Sequence, residues 1–191
     1  MIPQVYITGQ ITDVTEHEII ASLRQYRDSP TLLVSIDSDG GHVSSTLAIV
    51  DAMLSIQRNS TIVATYAAKK AYSGASLVLA AGSRGYRCVT ERTGIIVHEP
   101  QPVEILITAY PGSHRHSEAH RALENELFLR EHEWERAADF YEQFTRMSIQ
   151  SLLVGHRELG IIGASGKETG LFDKIVQDIQ EVYGILERLV R

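Results

Sequence analysis

Residues 4–11, QVYITGQI, alternate apolar and polar positions and are rich in β-branched and aromatic types, which predicts a strand. Residues 15–26 carry Ile19, Ile20 and Leu23 at helical spacing. The run TLLVSI at 31–36 is short and continuously apolar, as in a strand buried on both faces, and it stops at the turn cluster DSDGG with Gly40 and Gly41. From Val43 to Ile56, the residues Val43, Leu47, Val50 and Leu54 share one helical stripe. The unit then repeats. TIVATY at 61–66 reads as a strand, AAKKAY as a loop, and SGASLVLAAG at 73–82 as a short, nearly all-apolar and therefore buried helix. YRCV at 86–89 and GIIVH at 94–98 are the next strands. Strand, helix and strand in succession imply right-handed crossovers, a largely parallel sheet and an α/β fold.

The character changes after residue 100. Residues 101–116 hold Pro102, Pro111, Gly112 and the histidine-rich run His114-Arg115-His116, which predicts a loop. Residues 117–147 contain neither Gly nor Pro, and Ser117 with Glu118 supplies an N-cap and an acidic first turn. Such a helix would run about 45 Å. Its apolar positions, among them Leu123, Leu127, Trp134, Phe140, Tyr141 and Phe144, cover only part of a strongly charged surface, so it is expected to project from the domain or pack on another subunit. From Phe172 to Arg191, a stripe through Ile175, Ile179, Val182, Leu186 and Leu189 predicts a final amphipathic helix.

Composition narrows the class. The 191 residues are 43% hydrophobic, which suits one domain over 1–191 and excludes a disordered chain. No apolar stretch approaches the ~20 residues of a membrane span, and MIPQVYITGQ lacks the pattern of a signal peptide. A single cysteine, Cys88, excludes an intramolecular disulfide and a cysteine-built metal cage. The net charge of −6 argues against a nucleic-acid groove. The expectation is a soluble, cytoplasmic protein with no nucleic-acid or membrane partner.

Three positions carry candidate chemistry. Ser73 precedes the small residues Gly74 and Ala75 at the start of a buried helix, where backbone N–H groups can stabilise an oxyanion. His98 ends an apolar strand, at the carboxyl edge where parallel sheets place their sites. Gly40-Gly41 can bring bare backbone up to a substrate. Each has a plainer reading: an N-cap serine, a structural histidine, a tight turn.

Taken in order, these segments resemble the proteolytic subunit of the Clp protease family, the self-compartmentalising serine peptidases with a ClpP/crotonase-like fold of repeated β-β-α units and a projecting handle helix. The resemblance runs from QVYITGQI to GLFDKIV. The opening ITGQITD, the turn Ile36-Asp37-Ser38-Asp39-Gly40-Gly41 with Asp39 in place of a proline, the run Ser73 to Gly82 ending in LAAG, and Val97-His98-Glu99-Pro100 each match a family motif. The resemblance implies that Ser73 is the nucleophile, His98 the general base, and Gly41 and Gly74 the oxyanion donors. Ser76 is the competing serine; three residues into the helix, its hydroxyl is expected to bond back to the chain or face the core. Aligning the terminal motif on Gly170-Leu171-Phe172-Asp173 puts Glu158 at the position of the family's triad aspartate. Residues 117–147 match the handle through which two rings interlock, so a homo-oligomeric ring acting on peptides or unfolded proteins is implied. No cofactor or metal is implied, and His114, His116 and His120 read as part of a solvated loop.

Two departures bear on function. The family usually carries a segment ahead of its first strand that engages a hexameric AAA+ unfoldase; only Met1-Ile2-Pro3 stands there, which weakens the expectation of such a partner. Lys69 and Lys70, in a loop lengthened ahead of Ser73, invite a Ser–Lys dyad of the signal-peptide-peptidase kind. The leading expectation is a serine endopeptidase. The alternatives are a catalytically impaired scaffold subunit that pairs with an active paralogue, that Ser–Lys enzyme, and a crotonase-type acyl-CoA enzyme.

Overall fold

A computed structural model describes residues 2–98, 132–148 and 158–190. In chain order the elements are β1 (Gln4–Ile11), α1 (Asp13–Gln25), β2 (Thr31–Gly41), α2 (Val43–Arg58), β3 (Ile62–Tyr72), α3 (Gly74–Ala80), β4 (Arg87–Val89) and β5 (Gly94–His98). The helix over residues 132–144 is α4. Then come β6 (Glu158–Ile162), two turns of 3₁₀-helix, β7 (Lys174–Ile175) and α5 (Ile179–Val190). The strands form one sheet in the order β1-β2-β3-β4-β7, with β5 on the far end of β3 and β6 on β5. All pairings are parallel except β5 with β6. The expected α/β architecture is the one observed.

The apolar runs explain the layers. Leu32, Leu33 and Val34 of β2 and Val63 and Ala64 of β3 are fully buried, so both faces of the central strands are covered. One face packs against α1, α2 and α3 through Leu23, Ile49, Val50, Met53 and Leu79. The other carries Leu33, Ala64, Tyr66 and Cys88 under Val182 and Leu186 of α5. Each such fully buried aliphatic side chain contributes roughly 1.5–3 kcal/mol.

Three expected boundaries shift. β2 does not stop at Ile36 but continues through the Asp-Ser-Asp-Gly-Gly cluster to Gly41, because β1 keeps pairing with it up to Ile11 opposite Gly41. The ladder is irregular between Gly9 and Gln10 on β1, and Ser38 fills the gap: its hydroxyl donates to the Gly9 carbonyl at 2.6 Å and accepts the Gly40 N–H at 3.0 Å. β3 likewise runs through the expected loop AAKKAY to Tyr72. There Lys69 pairs with Asp37 at 3.4 Å and Lys70 with Asp39 at 2.6 Å, so charges that resemble a solvated loop sit on an edge of paired strands. The terminal stripe divides: Ile175 belongs to β7, and only Val182 and Leu186 of the expected set are buried in α5. The expected loop over 101–116, the first half of the expected handle helix and the three histidines 114, 116 and 120 lie outside the described residues.

This topology positions the site. Parallel strands β2, β3 and β5 end at one edge of the sheet, with Gly41, Tyr72 and His98 as their last residues. The antiparallel β6 starts at that same edge, with Glu158 in register with His98.

Candidate active site

Ser73 joins β3 to α3 with φ 51° and ψ −128°, a backbone conformation that L-residues rarely adopt. Holding a non-glycine residue there costs of order 1–3 kcal/mol, which the surrounding structure must supply. It does so from both sides. The Ser73 N–H donates to the Ile96 carbonyl of β5 at 2.8 Å, and the Ser73 carbonyl accepts the Ser76 N–H at 2.9 Å. The N-cap reading fails, because the Ser73 side chain makes no capping hydrogen bond to α3. A strained strand-to-helix turn that presents a serine at the end of a sheet is the geometry by which α/β hydrolases expose a nucleophile.

The glycine turn lies directly on this serine. A Cβ at Gly40 would stand 2.6 Å from the Tyr72 carbonyl oxygen, 2.7 Å from Ser73 Cβ and 2.8 Å from the Gly74 nitrogen. Gly40 also has φ 85°, so contact and conformation both demand glycine. Its amide is taken by Ser38, and that of His42 by the Ile11 carbonyl at 2.9 Å. Gly41 carries the amide between them. Gly74 packs as tightly on its other side, where an added Cβ would meet Thr46 Oγ1 of α2 at 2.3 Å.

His98 is half-buried at the end of β5. Because Tyr72 pairs with Ile96, Ser73 follows the ladder one step below the level of His98, and the register sets Glu158 opposite His98 on the other side of β5. The structure thus gathers the backbone positions of Ser73, His98, Glu158, Gly41 and Gly74 at one edge.

The competing groups are committed elsewhere. Ser76 is completely buried; its hydroxyl donates to the Ser73 carbonyl at 2.6 Å and meets the Tyr141 hydroxyl at 2.6 Å. Lys70 donates to both carboxylate oxygens of Asp39, at 2.6 and 2.7 Å. That hydrogen bond, ahead of the attraction of Asp39 and Asp37, raises its pKa above the usual lysine value, which favours the protonated form and counts against Lys70 as a general base. Cys88 is buried, which pushes its thiol up to about 11 and leaves it unreactive at neutral pH.

Sequence reasoning missed two pairings, one under the serine turn and one at the far edge of the sheet. Tyr141 of α4 bonds Ser76 across 65 residues of chain. Arg87 of β4 forms a bidentate pair with Asp173 at 2.7 and 2.9 Å and donates to the Phe144 carbonyl at 2.7 Å, fastening α4 to the sheet. The Asp173 of GLFD was the available signal for the second; the first had none, since neither hydroxyl stands in a motif. Among the described residues no cluster of three metal-ligating side chains occurs, and no helix is long and apolar enough to cross a membrane.

Sheet topology, strained serine turn and glycine contact define an α/β protein whose candidate residues gather along the backbone at the carboxyl edge of the sheet. The chain belongs to the Clp protease family, whose model, described as Clp protease, matches residues 3–178. It is 33% identical over 99 residues to the ATP-dependent Clp protease proteolytic subunit 1 of Rhodopirellula baltica, a match covering 50% of this chain and 42% of that protein. It is 34% identical over 100 residues to the ATP-dependent Clp protease proteolytic subunit of Pleurastrum terricola, covering 51% of this chain and 50% of the relative. The matched region thus spans half or less of each relative's length.

Proposed function

We propose that the protein is an active serine endopeptidase of the Clp proteolytic type, cleaving peptides or unfolded chains within a ring of like subunits. The observation that carries this reading is Ser73, held in a strained turn with its side chain unused as a helix cap, against Gly40 and one ladder step from His98. Ser73 Oγ attacks the scissile carbonyl while His98 takes the hydroxyl proton and later returns it to the leaving amine. The Gly41 and Gly74 amides receive the developing oxyanion, and Glu158 orients the imidazole and stabilises its positive charge. The acyl-enzyme is then hydrolysed by water that His98 activates in the same manner. Family membership supports assembly into rings and work alongside a Clp ATPase, and the cytoplasm as the compartment.

The test is labelling by a fluorophosphonate, which reacts only with an activated serine. The wild-type protein should label and hydrolyse a fluorogenic peptide, and Ser73→Ala should do neither. Losses on the order of 10³-fold or more are expected for a nucleophile. A folded, ring-forming wild type that never labels would leave the scaffold reading, which the glutamate at position 158 favours.

A further inference from the structure

We infer that Tyr141 is a positioning residue that aims and polarises the Gly74 amide through a buried hydroxyl relay. This rests on the peptidase reading above and names what sets one of its two oxyanion donors.

The relay has a fixed direction. The Ser73 carbonyl only accepts, and Ser76 Oγ lies 2.6 Å from it, so the one Ser76 hydroxyl proton is directed there. Ser76 Oγ is then an acceptor toward its other neighbour, and the Tyr141 hydroxyl, also 2.6 Å away, donates to it. The chain reads Tyr141 O–H to Ser76 O–H to Ser73 carbonyl. The Tyr141 oxygen is itself 3.4 Å from that carbonyl, but its single proton is directed at the much closer Ser76 oxygen, so it acts on the carbonyl through Ser76. With the Ser76 N–H at 2.9 Å, both lone pairs of the Ser73 carbonyl are engaged.

That carbonyl and the Gly74 N–H belong to one planar trans peptide and point in opposite directions. Pinning the oxygen toward Ser76 therefore fixes where the N–H aims. Hydrogen bonds accepted by an amide oxygen also withdraw electron density from the nitrogen, so the N–H donates more strongly. Pinning matters at this peptide in particular, because Ser73 is strained and the unit has an incentive to rotate. Tyr141 suits the role. Its side chain is buried at 3% exposure, and burial, outweighing the opposing Ser76 hydrogen bond, raises its pKa far above neutral and keeps it a donor. Its helix is held in place by Arg87 on the Phe144 carbonyl and by Arg136 on Asp51 of α2.

The experiment compares wild type, Tyr141→Phe, Ser76→Ala and the double variant. Three quantities are read: kcat and KM for a peptide, affinity for a peptidyl trifluoromethyl ketone, which forms a hemiketal oxyanion on the serine, and affinity for the corresponding uncleaved peptide amide. Tyr141→Phe should lower kcat about threefold to tenfold and Ser76→Ala about tenfold to thirtyfold, less than the ~10²-fold or more for a whole oxyanion donor. KM and amide affinity should stay put, while ketone affinity falls in step with kcat/KM. The double variant should be no worse than Ser76→Ala, because both changes act on one carbonyl. Folded variants with unchanged kcat and ketone affinity, or with peptide-amide affinity falling equally, overturn the relay and leave the peptidase reading standing. A wild type that reacts with neither fluorophosphonate nor ketone overturns the peptidase reading, and this inference with it. Should Tyr141→Phe fail to fold, Ser76→Ala decides alone by the same readouts.

Discussion

The two halves of the candidate site are built differently. The proposed nucleophile half, Ser73 with Gly40, Gly41 and α3, is continuous with the core. Ala75 through Ala80 are all buried, and glycines at 40, 41 and 74 leave no space for a methyl group. The proposed acid–base half, His98 and Glu158, hangs on an antiparallel pair at the end of β3. There β6 has β5 as its partner strand among the described residues, Ile162 is 60% exposed and Gly160 faces open space. Strain and oxyanion geometry need a rigid frame, whereas an imidazole can be aligned by a shorter, more exposed ladder. Changes in the first half should therefore disturb fold and activity together, and changes in the second should disturb activity alone.

The sharpest test of that division is Glu158→Gln. If the carboxylate orients His98 and balances its charge, kcat/KM should fall on the order of 10²–10⁴-fold, as removal of a triad carboxylate does elsewhere. Thermal stability should hold within a few degrees. A melting temperature that drops sharply would mean that the β5–β6 pair is part of the core after all; full activity would reduce the machinery to Ser73 and His98.

Gly40→Ala makes the opposite change. A methyl group would enter within 2.6–2.8 Å of three atoms of the serine turn, in a backbone conformation that disfavours any side chain. Destabilisation of about 2–4 kcal/mol is expected from the combined clash and strain, with activity lost alongside. Denaturant unfolding of the variant measures this directly. A stable but inactive Gly40→Ala would show that the turn can move without the core, which breaks the comparison from the other side.

How much of this was legible in the sequence follows the same division. β1 at 4–11 and β5 at 94–98 agree with the alternation and apolar runs residue for residue, since local patterning alone defines them. The centre of the site was harder. Gly40 and Gly41 look like a turn, and Lys69-Lys70 like a loop, because what keeps both segments in strands is each other: Asp37 and Asp39 meet the two lysines across the ladder. Motif order brought out Ser73, His98 and Glu158 as candidates, but not the φ of 51° that separates a strained serine from an N-cap. That angle is imposed by Ile96, Ser76 and Gly40, and no local rule reports it. Tyr141 with Ser76, 65 residues apart, is a pairing that only the folded chain discloses, and Arg87 with Asp173, 86 residues apart, had the aspartate of GLFD as its one signal.

Asp173 offers a pH-dependent test on the core side. Its burial works to raise the pKa, but the Arg87 hydrogen bonds and charge, with backbone N–H groups of Arg87 and Gly85, outweigh it and hold the carboxyl below its ordinary 3.8. A carboxylate depressed in the folded state stabilises the fold fully above its unfolded pKa, and that contribution declines as pH falls from 3.8 toward the lowered native value. Asp173→Asn would leave Arg87, only 5% exposed at its side chain, without a counter-charge. A loss of about 2–3 kcal/mol at neutral pH is expected, below the usual figure for a buried pair because Asp173 keeps contact with solvent. Melting curves from pH 7 to pH 2 should show wild type and variant converging only below pH 4. A constant offset across that range would assign the effect to packing instead of charge.

The smallest expected effect has the opposite sign and addresses the acid–base arm. Gly160 lies in the middle of β6, exposed, with nothing within 4 Å of an added Cβ and no positive φ to forbid one. Alanine there removes freedom from the unfolded chain without a clash, and should stabilise by about 0.4–1 kcal/mol. If the β5–β6 pair opens on its own, the gain appears locally. Amide exchange at Ile95 and Val97 should slow about twofold to fivefold, the equivalent of that energy, while α2 and β2 exchange as before. If the arm opens only with the core, all of these amides should slow together. Comparing the two sets of rates in one spectrum decides whether His98 is carried on a separate unit or on the frame that holds Ser73.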